Sequence, residues 1–196
     1  MIAIAGKDYV IVAGDTRLSS GYTILSRDSS KLCKLTDKII LASSGMYADI
    51  VELQKMLKIK IEIYRSTHKQ DPSLENIAQM LSVTLYGRRF FPYYAFNLLV
   101  GQGEDGVFRC YGYDAVGSFD EAPYGAQGSG SELIIPVLDN IVSRNPNMNE
   151  EEATKLILET MNGCSSRDIY TGDKCQIMIL KDNGICISSE EDLRKD

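Results

Sequence analysis

Two short apolar runs near the start of the chain restrict its fold more than any other feature. Residues 1–6 (MIAIAG) and 9–15 (YVIVAGD) flank a Gly-Lys-Asp turn at 6–8, which predicts the two strands of an antiparallel hairpin. Neither run alternates with polar residues, so both faces of the sheet are expected to be covered. The second run nevertheless ends in charged residues, Asp15 and Arg17.

The rest of the chain alternates strands with pairs of helices. Strands are predicted over 38–45, 93–101 and 106–113, helices over 47–67, 73–86, 128–142 and 151–163, and a closing hairpin over 175–188 around Asn183-Gly184. No internal repeat or linker divides the sequence, so residues 1–196 are expected to form a single domain. The order predicts an α+β fold, a four-layer α-β-β-α sandwich of two antiparallel sheets flanked by helix pairs.

Capping residues predict where two of these helices begin and end. Asp71 followed by Pro72 is typical of an N-cap with proline at the first helical position. Asn149 and Glu152 have the spacing of a capping box. Gly163 is expected to end the helix that this box opens.

Charge and composition exclude several classes of function. The net charge is −6, and the densest basic pair, Arg88-Arg89, runs into aromatic residues, so nucleic-acid binding is not expected. No apolar run approaches the roughly 18 residues of a membrane span, and no signal-peptide pattern opens the chain, so an intracellular protein without membrane contacts is expected. Five scattered cysteines predict reduced thiols and no zinc site, and His68 is expected to be solvated at a helix end.

The position of the first turn predicts which part of the chain lies opposite Asp15 at the charged end of the second strand. Paired residues of a regular antiparallel hairpin have a constant index sum, here about 15, which puts the partner of Asp15 just before Met1. A carboxylate there suits a nucleophile whose own α-amino group acts as base. Lys31 follows sixteen residues later, and an ammonium group beside an attacking hydroxyl lowers its pKa.

Two further segments fit the same chemistry, although each has an ordinary structural explanation. The loop GSGS (128–131) opens a predicted helix, and backbone amides at such a terminus stabilise an oxyanion. Asp168 and Thr171, three residues apart, could brace an N-terminal amine. Taken singly, Asp15 to Arg17 is more often a turn with a local ion pair, GSGS a flexible loop, and Asp168 with Thr171 a capped turn.

Four segments together resemble the proteasome β-subunit family of N-terminal nucleophile hydrolases. They are VIVAGDTRLSSGY (10–22), SSKLCKLTDKIILASSGMYAD (29–49), GSGSELIIPVLD (128–139) and RDIYTGD (167–173). The resemblance implies the N-terminal nucleophile hydrolase fold. It also implies roles for six residues. Asp15 corresponds to the strand-end aspartate, Lys31 to the lysine beside the nucleophile, and Gly45 to the glycine of the oxyanion hole. The residues that surround the N-terminal threonine correspond to Ser129, Asp168 and Thr171. Thr171 stands where catalytic members usually have serine.

The nucleophile itself is not among these residues. The resemblance implies that the family's catalytic threonine lies about two residues before Met1, which agrees with the hairpin sum, and neither Met1 nor Ile2 has a hydroxyl group. The segments YGRRFFPYY (86–94) and YDAVGSF (113–119) resemble a non-catalytic β position, so the six residues are interpreted as remnants of a catalytic site. No catalytic residue, metal or cofactor is assigned. The loop that contains Asp168 could hold magnesium through its carbonyls, as in some family members, but the sequence does not establish this.

The resemblance implies a structural subunit of the 20S proteasome core particle that takes part in ATP- and ubiquitin-dependent protein degradation in the cytoplasm and nucleus. Its implied partners are other β subunits in a heteroheptameric ring, the α ring and the opposing β ring. One alternative is a catalytic threonine protease subunit whose propeptide and nucleophile are absent from this sequence. A stand-alone binding module is disfavoured because the chain has no obvious ligand loop.

The segment GRRFFPYY (87–94) is a candidate interface. It places Phe90, Phe91, Tyr93 and Tyr94 around a proline and next to Arg88. Aromatic residues and arginine are enriched at buried protein–protein contacts. Core packing is the alternative, above all for Phe90.

Overall fold

The structure, a computed structural model, describes residues 1–193, and it describes the backbone alone for 185–188. The strands of the described chain are β1 (Ile2–Ala5), β2 (Val10–Asp15), β3 (Leu18–Ser20), β4 (Thr23–Ser26), β5 (Leu32–Thr36), β6 (Ile39–Gly45), β7 (Ala95–Gln102), β8 (Phe108–Tyr113), β9 (Phe119–Ala122), β10 (Tyr124–Ala126), β11 (Lys174–Lys181) and β12 (Gly184–Asp192). The helices are α1 (Tyr47–His68), α2 (Leu74–Tyr86), α3 (Ser131–Ile141) and α4 (Glu150–Ser165).

Two antiparallel five-stranded sheets form the centre of the molecule. Sheet I has the strand order β10-β1-β2-β11-β12 and sheet II the order β5-β6-β7-β8-β9, while β3 and β4 form a separate hairpin. Helices α3 and α4 pack on the outer face of sheet I, and α1 and α2 pack on the outer face of sheet II. The predicted four-layer α-β-β-α sandwich is thereby confirmed.

Strand β2 shows why the sequence lacks polar alternation at this point. Val10 and Val12 face the second sheet in the core between the sheets, whereas Ile11 and Ala13 face helices α3 and α4. All six residues of the strand are buried. Each fully buried valine or isoleucine side chain contributes about 1.5–3 kcal/mol to folding, so an apolar residue is favoured on either face.

The register of the first hairpin agrees with the prediction. Ile2 pairs with Ala13 and Ala3 with Val12, so the indices of paired residues sum to 15 and Asp15 extends past the start of β1. On its other side, Asp15 pairs with Cys175 of β11. Asp15 therefore sits beside β11, at the end of the hairpin where β1 begins.

The helix ends are only partly as predicted. Asn149 and Glu152 form the expected capping box. The N-cap of α2 is Ser73, whose side chain accepts a hydrogen bond from the backbone N–H of Asn76, and the prediction of Asp71 was wrong. The prediction that Gly163 ends α4 was also wrong, because this helix continues to Ser165.

Several smaller expectations concern single residues. His68 is the last residue of α1, and it is exposed and stacked near Tyr64 at 4.3 Å between ring centroids. The four cysteines whose side chains the structure describes, Cys33, Cys110, Cys164 and Cys175, carry free thiols. The loop of the last hairpin consists of Asp182 and Asn183, one residue earlier than predicted. In the part of the chain that the structure describes, no helix combines the length and apolar character needed to cross a membrane.

Candidate functional site

Asp15 is a buried carboxylate with three hydrogen-bond donors. Its side chain accepts from Nζ of Lys31 at 2.5 Å and from the backbone N–H groups of Gly172 and Arg17, both at 3.3 Å. Only 3% of Asp15 is exposed. A buried charge is tolerated when it is paired and hydrogen-bonded, so Lys31 and the two amides stabilise the ionised carboxylate at the strand end.

Arg17 pairs with a residue to which the sequence analysis gave no role. Its Nε donates to Oδ2 of Asp173 at 2.8 Å, and Nη1 of Arg27 donates to Oδ1 of the same carboxylate at 2.5 Å. The local ion pair considered between Asp15 and Arg17 does not form, because their side chains have separate partners. Asp173 also has a φ of +71°, a conformation that Asn and Asp adopt more readily than most residues.

Burial and hydrogen bonding act in opposite directions on the pKa of Asp173. Burial raises the pKa of this carboxyl, but the hydrogen bonds and positive charges of Arg17 and Arg27 outweigh it and leave the pKa below its usual range. The only sequence signal for this residue is its place at the end of the quoted RDIYTGD segment. Both arginine partners are more than 140 residues away in the chain.

Three of the predicted residues form one hydrogen-bonded cluster around Asp168. Its Oδ2 accepts from the hydroxyl groups of Ser129 at 2.6 Å and Thr171 at 2.7 Å, and its Oδ1 accepts from the backbone N–H of Tyr170 at 3.1 Å. Burial raises the pKa of Asp168, but these hydrogen bonds and the charge of Lys31 more than offset it and lower the pKa. The cluster ties the loop after α4 to the start of α3.

An open cleft of about 700 Å³ is lined by three of the six predicted residues. Lys31, Gly45 and Ser129 line it directly. The other lining residues are Arg17, Leu18, Ser19, Ser44, Met46, Tyr94, Phe96, Gln127, Gly128, Ser131 and Tyr170. Gln127, which had no predicted role, exchanges backbone hydrogen bonds with Met1, so the beginning of β1 lies beside this cleft.

Gly45 occupies a position that requires glycine. Its φ is +124°, which L side chains rarely adopt, and a Cβ atom there would overlap the carbonyl oxygen of Tyr94. The same carbonyl accepts a hydrogen bond from the backbone N–H of Met46 at 2.8 Å. The backbone at the end of β6 is therefore held firmly against the segment that leads into β7.

The cleft has the chemistry of a polar pocket with one ammonium group. Lys31 offers positive charge to an anionic or carbonyl ligand. The hydroxyls of Ser129 and Thr171 are both donated to the Asp168 carboxylate. Burial raises the pKa of the neighbouring Cys164 thiol, which disfavours the reactive thiolate.

The loop after α4 does not fit a magnesium ion at the Ile169 carbonyl. That oxygen accepts a hydrogen bond from Nη1 of Arg17 at 3.0 Å, and the guanidinium would repel a second cation. Within the described chain, no three His, Cys, Asp or Glu side chains come together in a way that could hold a metal ion.

The aromatic segment 87–94 is mostly on the surface. Phe90 is 92% exposed, Phe91 83% and Tyr94 62%. Tyr93, in contrast, is buried against the core under α1 and α2, so the interface expectation was wrong for this residue. Tyr93 points inward in the last turn before β7, while its neighbours point to solvent.

Comparison with known proteins gives one family and a consistent set of relatives. The family model described as "Proteasome subunit" matches residues 1–180. The chain is 50% identical to "Proteasome subunit beta type-1" of Arabidopsis thaliana over 206 aligned residues, which cover 100% of this chain and 92% of the relative. It is 44% identical to the protein of the same name from Dictyostelium discoideum, covering 94% of this chain and 82% of the relative. The corresponding Drosophila melanogaster protein is 43% identical, with 94% and 83% covered.

Proposed function

The chain belongs to the proteasome subunit family, and we propose that it acts as a β subunit of the 20S core particle that shapes the β ring without hydrolysing peptides itself. In this role it contacts the neighbouring subunits of the rings and forms part of the wall of the proteolytic chamber. Its partners are the other β subunits of a heteroheptameric ring, the α ring and the opposing β ring.

The observation that carries this proposal is an apolar row on each outer face of the sandwich. On α1, the residues Tyr47, Val51, Ile59 and Ile63 are exposed on one line of four-residue steps whose middle position is Lys55, while another face of the same helix packs on sheet II. On α3, Leu133, Val137 and Ile141 are exposed with the same spacing. Rows at i±4 pack into the grooves of a second helix, and large exposed apolar patches mark interaction sites.

The two rows lie on opposite sides of the molecule, because α1 covers sheet II and α3 covers sheet I. A subunit with a helical docking surface on each outer layer can contact neighbours both above and below itself. This supports a position within a stack of rings, with the α ring against one layer and the opposing β ring against the other.

The geometry of the cleft supports the non-catalytic part of the proposal. Both hydroxyls that the family resemblance assigns to the site, those of Ser129 and Thr171, donate to Asp168. A carboxylate with a lowered pKa is a weak general base. Lys31 is bound to Asp15, and in our proposal these groups stabilise the loops around the cleft.

The alternative is a catalytic subunit whose nucleophilic threonine precedes Met1. The specific observation in its favour is that the Asp15–Lys31 pair and Gly45 are arranged at the start of β1. The mature chain should be isolated from cells, its N-terminal mass measured, and the particle treated with a covalent threonine-directed inhibitor. A chain that begins with threonine and is labelled by the inhibitor would establish this alternative and exclude our proposal.

Assembly is tested with a tagged chain expressed in place of the native one. We expect it to co-purify with a particle of α and β subunits, and we expect Ile59→Asp with Ile63→Asp to reduce its incorporation on native gels. Ile63→Asp alone and Gln70→Asp add the same single negative charge, the first on the apolar row and the second in the α1–α2 loop off that row, and they form the matched pair. Failure of the unsubstituted chain to enter any such particle would refute the proposed function.

The same reasoning extends to where the protein acts. We propose that it takes part in ATP- and ubiquitin-dependent protein degradation in the cytoplasm and nucleus, as the family resemblance implies. A fluorescent fusion of the full chain, checked for incorporation into the particle, tests this distribution directly. A signal confined to any other compartment would contradict it.

A further inference from the structure

We propose that the loop 87–94 inserts Phe90 and Phe91 into an apolar pocket rimmed by carboxylates, between the two sheets of an adjacent proteasome subunit. This inference rests on the proposed function and specifies the partner that the loop contacts. The supporting observations are the exposure of the two phenyl rings, the order of the loop, the unpaired charges beside the rings and a pocket of matching chemistry within this fold.

The phenyl rings are presented to solvent almost completely. Phe90 and Phe91 are consecutive in the chain and are 92% and 83% exposed. Burying a phenylalanine side chain is worth about 1.5–3 kcal/mol. A chain that leaves two adjacent rings uncovered has a strong driving force to bury them against another molecule.

The loop that carries these rings is held in one conformation. The backbone N–H of Arg88 donates to the Leu85 carbonyl, and that of Phe91 donates to the Arg88 carbonyl, both at 3.0 Å. At the far end, the backbone N–H of Tyr94 donates to the carboxylate of Asp49 at 2.8 Å. A preorganised loop loses little conformational entropy when it binds, which distinguishes this segment from a flexible surface tail.

The loop also contains two guanidinium groups, Arg88 and Arg89, which have no carboxylate partner among the described residues. Arg88 lies over the ring of Tyr93 at 4.5 Å, and Arg89 lies 5.3 Å from the ring centre of Phe90. Over residues 1–193, neither arginine is within 4.0 Å of an acidic side chain. Stacking on aromatic rings leaves the N–H groups available, and carboxylates are their preferred partners.

This chain itself shows that the fold can build such a pocket. A cavity of about 490 Å³ lies where strands β8, β9 and β10 meet, lined mainly by apolar side chains that include Leu98, Tyr113 and Phe119. Asp114 and Asp120 belong to its lining. Phe90 does not occupy this pocket, since the ring is nearly fully exposed.

A projecting loop and a complementary pocket on different parts of one fold define a heterologous contact. Contacts of this kind join subunits head to tail and close into a ring when the rotation allows it. Subunits that share the fold offer the pocket at the same place. The geometry therefore points to the neighbour's segment that aligns with residues 108–126 of this chain.

Site-specific photo-crosslinking tests the proposed contact in the assembled core particle. Phe90 is replaced by benzoylphenylalanine in the full tagged chain, the purified particle is irradiated, and the crosslinked peptides are identified by mass spectrometry. We expect one adjacent subunit to be labelled, at the segment that aligns with 108–126. The same analogue at Tyr22, which is 98% exposed on the β3–β4 hairpin, is the control and should not label that segment.

Substitutions test the chemistry of the contact. Arg88→Glu, alone or with Arg89→Glu, and Phe90→Ser with Phe91→Ser should each lower the assembled fraction on native gels, by about tenfold for the double substitutions if these residues are interface hot spots. Tyr94→Ala should have a smaller effect in the same direction. Peptide hydrolysis per assembled particle should be unchanged for the substitutions at Arg88, Arg89, Phe90 and Phe91, none of which lines the cleft.

The outcomes separate this inference from the proposed function. If the unsubstituted chain fails to enter the particle, the proposed function is wrong. If it enters but benzoylphenylalanine at position 90 labels another segment, several subunits, a second copy of this chain or nothing, the inference alone is overturned. Normal assembly of both the Glu and the Ser double variants would overturn it as well.

Discussion

The Nζ atom of Lys31 lies 2.5 Å from Oδ1 of Asp15, although sixteen residues and the β3–β4 hairpin separate them in the chain. Both side chains are mostly withdrawn from solvent. Removing one partner of a buried ion pair leaves the other charge without compensation. The pair therefore holds the end of β2 against the segment that leads into β5, independently of any catalytic role.

Asp15→Asn should destabilise the chain by about 3 kcal/mol, because Lys31 would remain largely buried without its counter-charge. The double substitution Asp15→Asn with Lys31→Met should cost less than the sum of the two single changes, with a coupling of about 1–3 kcal/mol. Urea unfolding of the purified chain gives these values. Strict additivity of the two single substitutions would show that the contact contributes no stability.

Asp173 should make stability depend on pH in the acid range. The arginine contacts lower the pKa of its carboxyl in the folded chain, so its contribution is present above the unfolded pKa of about 3.9 and is lost as the pH falls through the folded value. Asp173→Asn should remove this part of the acid sensitivity. It should also cost about 2 kcal/mol near neutral pH, where charged hydrogen bonds are lost.

Asparagine isolates the charge effect, because it tolerates the positive φ of Asp173 about as well as aspartate does. Asp173→Ala adds conformational strain and should be less stable than Asp173→Asn. Unfolding midpoints measured between pH 3 and pH 7 test both statements. Parallel pH curves for the native chain and Asp173→Asn would contradict the role given to this carboxylate.

Local patterns predicted the parts of the fold that depend on neighbours in sequence. The first hairpin has the expected register because a tight turn and the two-residue period of a strand leave little freedom. The capping box at Asn149 forms because both of its hydrogen bonds lie within four residues. The predicted end of α4 was wrong because buried contacts of Met161 and Cys164 with the core extend the helix past Gly163.

The hairpin register predicted where Asp15 lies, and the family resemblance then joined it to the other residues of the candidate site. Ser129, Asp168 and Thr171 meet because the start of α3 and the loop after α4 come together, which spacing alone does not indicate. Asp173 stands at the end of the RDIYTGD segment but was given no role, since its positive φ and its distant arginine partners appear only in three dimensions. The N-cap of α2 is Ser73 and not Asp71. Both residue types cap helices and they stand two positions apart, so the sequence did not show which of them begins the helix.

Gly163→Ala should stabilise the chain by about 0.5–1 kcal/mol. The glycine lies inside α4, and a Cβ there would meet nothing within 4 Å, so alanine gains helix propensity without a steric cost. Asn149→Ala, which breaks the capping box at the other end of the helix, should destabilise by about 1 kcal/mol. Thermal unfolding compares the two, and a lower midpoint for Gly163→Ala would contradict the observed helix end.

Substitutions at Gly45, in the cleft, and at Gly21, in the β3–β4 hairpin, compare the cost of steric overlap with the cost of a positive φ alone. Both have positive φ, +124° and +55°, but a Cβ at Gly45 would overlap the carbonyl oxygen of Tyr94, whereas one at Gly21 meets nothing within 4 Å. Gly21→Ala should therefore cost only the strain of the left-handed conformation, about 1–2 kcal/mol. Gly45→Ala should cost clearly more, because the overlapping atom is backbone and the segment leading into β7 must move.

The movement at Gly45 should also reach the surface loop, since the displaced carbonyl belongs to Tyr94, whose N–H is bound to Asp49 at the other side of the contact. Hydrogen exchange of the Met46 and Tyr94 amides should accelerate in Gly45→Ala and stay unchanged in Gly21→Ala. Unfolding in urea supplies the stabilities of both variants. Equal losses for the two glycines, or unchanged exchange at Tyr94, would show that the end of β6 is not packed as tightly as this structure indicates.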